Sequence, residues 1–357
     1  MSFKLVHCAD LHIGASLSGL SESYSSIRRE EIKSSLKYIA DFSLKNCVDA
    51  ILICGDLFDS PFPSQSDINY VKNIFKEISD INIYINCGNH DYLAPSSVFT
   101  ESFSDLENIY IFPSYDSCFE IEDKNVVLWG KSYSAPSVEP SFENVNTDKE
   151  KINIMCLHGV LTEGDNYPIS KQCLSRISPE YAAFGHIHDG CEFIVGETKC
   201  AYSGTPEGHG FNDCGNTGFI YAEISKNSVK LEKIESSKRK YTYLDADISG
   251  LNSNDEIIAS IKDKINPDDL FKVILKGEAT SDFELSTSYI EDSLKESCFY
   301  IKIYNETSPA LDFSLIEKEE SLRGYFIHNL KEIATEEEFM LAARIGLNAL
   351  LGRKTDL

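Results

Sequence analysis

Apolar residues in the first part of the chain come in two spacings. Phe3–Ala9, Ala50–Cys54 and Asn82–Cys87 are largely apolar runs of strand length, halted by Asp10, Gly55 and Gly88. Between them Ile27, Ile32, Leu36, Ile39 and Ala40 recur at helical spacing, as do Ile68, Val71, Ile74, Phe75 and Ile78. The second stripe fits either packing on a sheet or a homodimer face, and packing is the simpler reading. This βαβαβ order predicts a parallel sheet whose ligand crevice lies beyond the carboxyl ends of its strands. Further runs follow at Val126–Trp129, Ile152–Leu157 and Tyr181–Phe184. From Cys191 to Ile234 the strands are closely spaced, with Gly-rich turns and little helical period, which predicts a second sheet packed against the first.

Ser236-Ser237-Lys238-Arg239-Lys240 is polar and briefly basic, and reads as a solvated linker dividing residues 1–240 from 241–357. Beyond it, Phe271–Leu275 and Phe299–Ile303 flank helical stretches, predicting a small α+β unit. Leu322, Phe326, Leu330 and Ile333 form the stripe of one terminal helix. Thr335 with Glu338 makes a capping box for another, closed by Gly352.

A chain of 357 residues has room for a large domain and a smaller one. Its N-terminus enters a strand rather than a signal sequence, and no run is long enough to span a membrane. The eleven cysteines lack the spacing of a disulfide framework, which points to a reducing, cytoplasmic location. Net charge is −24, divided as −13 up to residue 240 and −11 after it. A nucleic-acid binder working alone carries a basic face, so tight unaided DNA binding is not expected.

The chemistry lies in five segments, each directly after an apolar run: Asp10-Leu11-His12, Gly55-Asp56-Leu57-Phe58-Asp59, Gly88-Asn89-His90-Asp91, Leu157-His158-Gly159 and Gly185-His186-Ile187-His188. Five of the eight histidines fall inside them. Alternate residues just past a strand, such as Asp10 and His12 or His186 and His188, can share one crevice. Asp, Asn and His without Cys suit Mn²⁺, Fe or Zn²⁺ with open positions rather than a closed structural zinc. Two such ions side by side suit displacement at phosphorus, so a two-metal hydrolase is predicted. His7, within the first strand, reads as an ordinary core residue. Cys8, Cys54, Cys87 and Cys156 each stand two residues before a candidate ligand. They read as compact buried hydrophobes, with redox sensing as the sharper alternative that full burial would remove.

These segments, in this order, resemble the calcineurin-like metallophosphoesterase superfamily. The opening Val6–Gly14, the Gly-Asp-Leu-Phe-Asp form and the small C-terminal unit resemble its DNA-repair exonuclease branch, the SbcD type. Thr205-Pro206-Glu207-Gly208-His209-Gly210-Phe211 resembles the bacterial YhaO group. The resemblance implies an α/β fold: a two-sheet β-sandwich flanked by helices in four layers, with a small α+β C-terminal capping domain. It implies one metal on Asp10, His12, Asp56 and His188, and a second on Asp56, Asn89, His158 and His186. His90 would protonate the leaving oxygen and Asp59 would orient it, as in the phosphatase relatives. The archaeal and eukaryotic nucleases carry His at that place, so Asp59 marks the bacterial variant. His209, in a Gly-flanked loop, is a candidate contact to a substrate phosphate or ordinary turn chemistry.

The resemblance further implies a Mn²⁺-dependent exonuclease or endonuclease acting on DNA with an SMC-like ATPase partner of the SbcC type, docked on the C-terminal helices. Such a partner would reconcile an acidic chain with DNA work. The alternatives are a small-molecule phosphodiesterase or phosphomonoesterase, and a weakly active scaffold subunit. Intact ligands argue against the scaffold.

Overall fold

The structure is a computed structural model describing residues 2–350 apart from 138–141, 143–144, 163–168, 216 and 281–282. Gly352, the expected close of the last helix, lies outside the described residues. Two compact units are present. The first holds Met1–Tyr243 with Pro267–Lys272 and Cys298–Tyr300, and the second holds the remainder.

In the first unit the expected strands form as β1 (Phe3–Cys8), β2 (Ala50–Cys54) and β3 (Asn82–Asn86), followed by β4 (Ile109–Ile111). They pair in parallel in that order. A second set follows: β5 (Ser117–Ile121), β6 (Val126–Gly130), β7 (Ile152–His158), β8 (Tyr181–Gly185), β9 (Cys191–Val195) and β10 (Thr198–Tyr202). It makes its own sheet in the order β5-β6-β7-β8-β10-β9. One expectation needs correction here. The stretch from Cys191 to Ile234 is not a second sheet by itself, because β11 (Phe219–Ser225) and β12 (Ser228–Ile234) return to the first sheet. There β11 pairs antiparallel with the free edge of β1, giving the order β12-β11-β1-β2-β3-β4. The second sheet begins much earlier, at β5.

Side-chain alternation explains why the central strands are apolar throughout. Leu5, Leu52 and Tyr84 point into a core shared with Leu128, Ile154, Tyr181 and Ala183 of the other sheet. Their neighbours Val6, Ile51, Ile53 and Ile83 pack beneath the helices. Those helices are α1 (Glu22–Lys45) and α2 (Gln65–Glu77). On the far face, Met155, Leu157, Ala182 and Phe184 cover Leu174 and Ile177 of a third helix. The four layers of an α/β sandwich result. The stripe Ile68, Val71, Ile74, Phe75 and Ile78 is entirely buried in this core, as are Ile32, Leu36, Ile39 and Ala40. Ile27 departs from its stripe and is 47% exposed. His7 is a satisfied core residue, with Nδ1 2.8 Å from the Tyr181 hydroxyl and Nε2 donating to the Phe184 carbonyl at 3.1 Å.

The second unit carries most of a three-stranded sheet built from Tyr241–Asp247, Leu270–Lys276 and Tyr300–Asn305. Helices Asn254–Lys262 and Thr287–Leu294 bury Ile257, Ile261, Ile290 and Leu294. In helix Leu322–Ile333 the expected stripe is only partly right. Leu322 and Ile333 are 69% and 82% exposed, whereas Ile327 is buried and Phe326 and Leu330 pack beside it. Thr335 and Glu338 do cap the last helix, the Thr335 N–H donating to the Glu338 carboxylate at 3.1 Å. Among the described residues no helix is long and apolar enough to cross a membrane.

The segment Ser236–Lys240 is not a solvated linker. Arg239 donates to Glu31 at 2.9 Å and lies 3.8 Å above the Phe299 ring, and the Lys238 N–H donates to Glu207 at 2.6 Å. Both glutamates also hold Arg28, whose side chain is fully buried. Its guanidinium donates to Glu31 and Glu207 at 2.5 Å and to the Gly208 carbonyl at 2.9 Å. The buried Arg28 and the half-buried Arg239 face two buried glutamates and balance them in charge, which lets the carboxylates sit out of water. Arg28→Ala strands Glu207 in the interior and should cost about 3–5 kcal/mol in urea unfolding at pH 7. A loss below about 1 kcal/mol, the range of a surface pair, would show that the network does not hold this region together.

Candidate metal centre

The five polar segments leave β1, β2, β3, β7 and β8 at the same end of the two sheets, and there they converge. Four of the residues expected to bind metal adopt left-handed backbone: Asp10 at φ 56°, His12 at 46°, Asp56 at 54° and His186 at 90°. Non-glycine residues rarely sit there, and each instance costs of order 1–3 kcal/mol unless its surroundings enforce it. Cross-links between the loops supply the enforcement. Asp10 N–H donates to the Gly55 carbonyl at 3.0 Å, His12 N–H to the Asp56 carbonyl at 2.9 Å, and His186 N–H to both Asp10 carboxylate oxygens at 2.9–3.0 Å. The Thr205 hydroxyl donates to the Asp10 carbonyl at 2.8 Å.

Two glycines set the spacing. Gly55 has φ +91°, and a Cβ there would collide with the His158 imidazole. A Cβ on Gly185 would overlap the Cys54 carbonyl oxygen and Ala9. The ends of the two sheets therefore abut, backbone against side chain, with no room for a methyl group.

Asp56 occupies the middle. Its Oδ2 lies 3.6 Å from His12 Nε2 and 3.3 Å from His158 Nε2, and its Oδ1 accepts the His90 N–H at 2.9 Å. The Asn89 side-chain oxygen stands 3.0 Å from His158 Nε2 and 3.1 Å from His186 Nδ1. His158 Nδ1 donates to the Cys54 carbonyl at 2.8 Å, which turns Nε2 inward, and His188 Nδ1 donates to Asp213 at 2.9 Å, which frees its other nitrogen. Ligand atoms of Asp10, His12 and His188 lie within 4.8 Å of one another, as do those of Asp10, Asp56 and His158. His12 Nε2 is buried and has no hydrogen-bond partner among the described residues. A buried imidazole nitrogen without a partner, 3.6 Å from the Asp56 carboxylate and grouped with ligand atoms of Asp10 and His188, is what a divalent cation would satisfy, and this donor set of N and O atoms fits one.

Electrostatics agree with that fit. Burial opposes ionisation of Asp56, yet His158, His12 and the His90 N–H hold it well below the usual carboxylate range. Burial alone would depress His158, but Asp56 and Asp10 lift it to about 9. Burial prevails at His12, which falls below its ordinary value.

Asp59 and His90 stand at the rim. Asp59 Oδ1 is 3.4 Å from His90 Nδ1 and 3.1 Å from His12 Nδ1, so it serves two histidines rather than the one expected. Hydrogen bonding to Asp59 raises His90 to about 9, with Asp56 adding to it. His90 is half-exposed, and one of its nitrogens also falls within 4.8 Å of ligand atoms of His12 and Asp56. His209 packs edge-on against His12 with ring centres 5.1 Å apart. Its Nε2 donates to the Leu11 carbonyl at 3.0 Å, whereas its buried Nδ1 lies 3.3 Å from Asp213 without a hydrogen-bond partner among the described residues.

Sequence reasoning passes over two carboxylates. Asp91 is fully buried and accepts N–H groups from Gly88 at 2.7 Å and from Asp56 and Phe58 at 3.2 Å. Burial and the nearby Asp56 charge raise it to about 7. Its position at the end of Gly-Asn-His-Asp was the available signal. Asp213 accepts from the His188 ring and the His209 N–H, and these bonds outweigh burial to hold it far below the usual carboxylate range. Only its place four residues past His209 pointed to it. The four cysteines beneath the ligands are all completely buried, and burial pushes the thiols of Cys8, Cys54 and Cys87 upward, which removes the sensing alternative.

The chain's relatives agree with this chemistry. It is 26% identical over 243 residues to the metallophosphoesterase YhaO of Bacillus subtilis (strain 168), covering 64% of this chain and 59% of that protein. It is 25% identical over 269 residues to the DNA double-strand break repair protein Mre11 of Aeropyrum pernix, covering 69% and 64%. The corresponding protein of Saccharolobus solfataricus is 24% identical over 337 residues, covering 87% and 84%. The chain spans less than two thirds of the length of the first two. A family model described as calcineurin-like phosphoesterase matches residues 3–190, more than half of the chain. The chain belongs to the calcineurin-like phosphoesterase family.

Proposed function

We propose that this phosphoesterase is a Mn²⁺-dependent DNA nuclease of the repair type, with Fe or Zn²⁺ as alternative metals. One ion would be held by Asp10, His12, Asp56 and His188, and the other by Asp56, Asn89, His158 and His186, with Asp56 shared. When bound, the ions supply positive charge at the phosphoryl centre and ease deprotonation of the attacking water. The observation that carries the reading is the Asp59–His90 pair at 3.4 Å beside this ligand set. Asp59 favours the protonated form of His90, which is half-exposed and positioned by that carboxylate, and this suits it to give a proton to the leaving oxygen. DNA as the substrate is supported by the repair relatives, one of which aligns over most of the chain.

Residues 1–240 would form the catalytic domain, and 241–357 a capping and partner-docking domain. With a net charge of −24, much of the phosphate binding would fall to a partner, for which an SMC-like ATPase of the SbcC type is the candidate. Eleven free cysteines suit a reducing compartment such as the cytoplasm. The acidic charge also favours a second reading, a phosphodiesterase for small molecules.

A panel of single-stranded and end-containing DNA with Mn²⁺, set against a small phosphodiester, separates the two. Degraded DNA supports the nuclease. Intact DNA alongside rapid small-ester hydrolysis moves the assignment to the second reading.

His90→Ala should lower turnover by roughly 10²–10⁴-fold while both metals stay bound. Loss of metal measured by elemental analysis would instead make His90 a ligand.

The pH dependence carries a defined sign. Activity needs cationic His90, so it falls as pH rises through the His90 pKa, which bound cations push below the metal-free value of about 9. Asp59→Asn removes the largest cause of the elevation and should move this alkaline limb to lower pH. An unmoved limb would detach Asp59 from His90.

Metal loading has its own signature. His158, raised to about 9, carries a proton at pH 7 that a ligand must give up. Calorimetric titration with Mn²⁺ in buffers of different ionisation enthalpy should show proton release, and affinity should weaken as pH falls. Loading without proton release would take His158 off the ligand list.

A further inference from the structure

Beside the metal centre lies a recess of about 280 Å³ that the phosphoryl chemistry leaves unused. Residues 15–20, Phe211 and Tyr241 line it together with Asp59 and His209, so it is continuous with the wall of the site. Its character differs from that of the metal centre. Leu17, Leu20, Phe211 and Tyr241 make it largely apolar, whereas the metal centre is built from carboxylate, amide and imidazole groups. Tyr241 holds Phe211 edge-on, with ring centres 5.1 Å apart, and the Phe211 ring is also 5.6 Å from Tyr243. The aromatic wall is therefore fixed rather than free to collapse into the space. Leu17 has its side chain buried while its backbone sits at φ 52°, so the opposite wall is also held. The serines at 16 and 18 are exposed on the same turn and offer hydroxyls at the rim.

We propose that this recess is the subsite for the nucleobase next to the scissile phosphate, with Phe211 as its stacking residue. The inference rests on the phosphodiesterase reading and names the part of the substrate that the metals do not touch. A phosphate held by the metal ligands, beside a recess that shares Asp59 and His209 with that site and carries an aromatic ring, matches the parts of a nucleotide. Stacking also answers the charge problem, because an acidic chain gains little from phosphate attraction and needs an uncharged source of affinity. Every base has a π-face, so the subsite would accept any of the four. The recess is small for a ligand site and matches one ring system rather than a larger cofactor.

Two esters with the same leaving group test this: thymidine 5′-(p-nitrophenyl phosphate) and methyl p-nitrophenyl phosphate, assayed with Mn²⁺. Wild-type protein should favour the nucleoside ester in kcat/KM. Phe211→Ala should reduce that preference roughly 5- to 100-fold, chiefly through KM, the range found for a lost base stack. Phe211→Trp keeps a ring face and should retain the preference, which guards against misreading a folding defect. Equal hydrolysis of the two esters by wild type, or a preference unchanged in Phe211→Ala, overturns the subsite. If wild type hydrolyses neither ester, the phosphodiesterase reading fails first. Calorimetric titration with thymidine 5′-monophosphate then decides the subsite: binding to wild type that Phe211→Ala weakens supports it, and equal or absent binding removes it.

Discussion

The closeness of the two sheets at the carboxyl ends of their strands is the constraint on which the rest depends. Gly185 admits no side chain because the Cys54 carbonyl fills that space, and Gly55 admits none because His158 does. One glycine belongs to each sheet, so each excludes a Cβ at the point where the other sheet arrives. Only with the sheets this near can Asp56, from β2, stand 3.3 Å from His158, from β7. A wider gap would leave two separate clusters of polar side chains, each too poor in ligands to hold an ion.

Gathering that many charges requires opposing ones. Asp56 stays ionised although buried because imidazoles and a backbone N–H surround it, and Asp91 behind it is driven the other way, toward neutrality. The two carboxylates thus divide the work: one carries the charge at the centre, and the other accepts the three N–H groups that fix the loops. At the rim, Asp59 lies between the rings of His12 and His90, and Asp213 accepts from the His188 ring and the His209 backbone N–H.

What the sequence reveals and what it hides have physical causes. The strand ends are legible because central strands buried on both faces are uniformly apolar, and the polar residue that stops each run is the one facing the crevice. The return of β11 and β12 to the first sheet is not legible. Pairing with the open edge of β1 is a long-range choice that leaves no mark on local periodicity. Ile27 and Ile333 fit their stripes by spacing, yet both lie near helix ends, where the neighbouring layer no longer covers them. The Arg28–Glu207 pair is not legible because its members lie 179 residues apart in the chain. Asp213 is hidden for the same reason, since its importance comes from where the loop after His209 folds back.

The candidate ligands run from Asp10 to His188 along the chain, and neither sheet supplies a complete set. During synthesis, the candidate ligand set is incomplete until the residues just past β8 have emerged, when β9 to β12 have still to join the two sheets. A nascent or clipped chain lacking the residues past β8 holds only part of the candidate ligand set, so the centre is withheld from every incomplete molecule by topology alone. The same dependence ties metal retention to survival of the fold. Any cation bound there would stabilise the folded chain by mass action, since it binds the folded state and not the unfolded one.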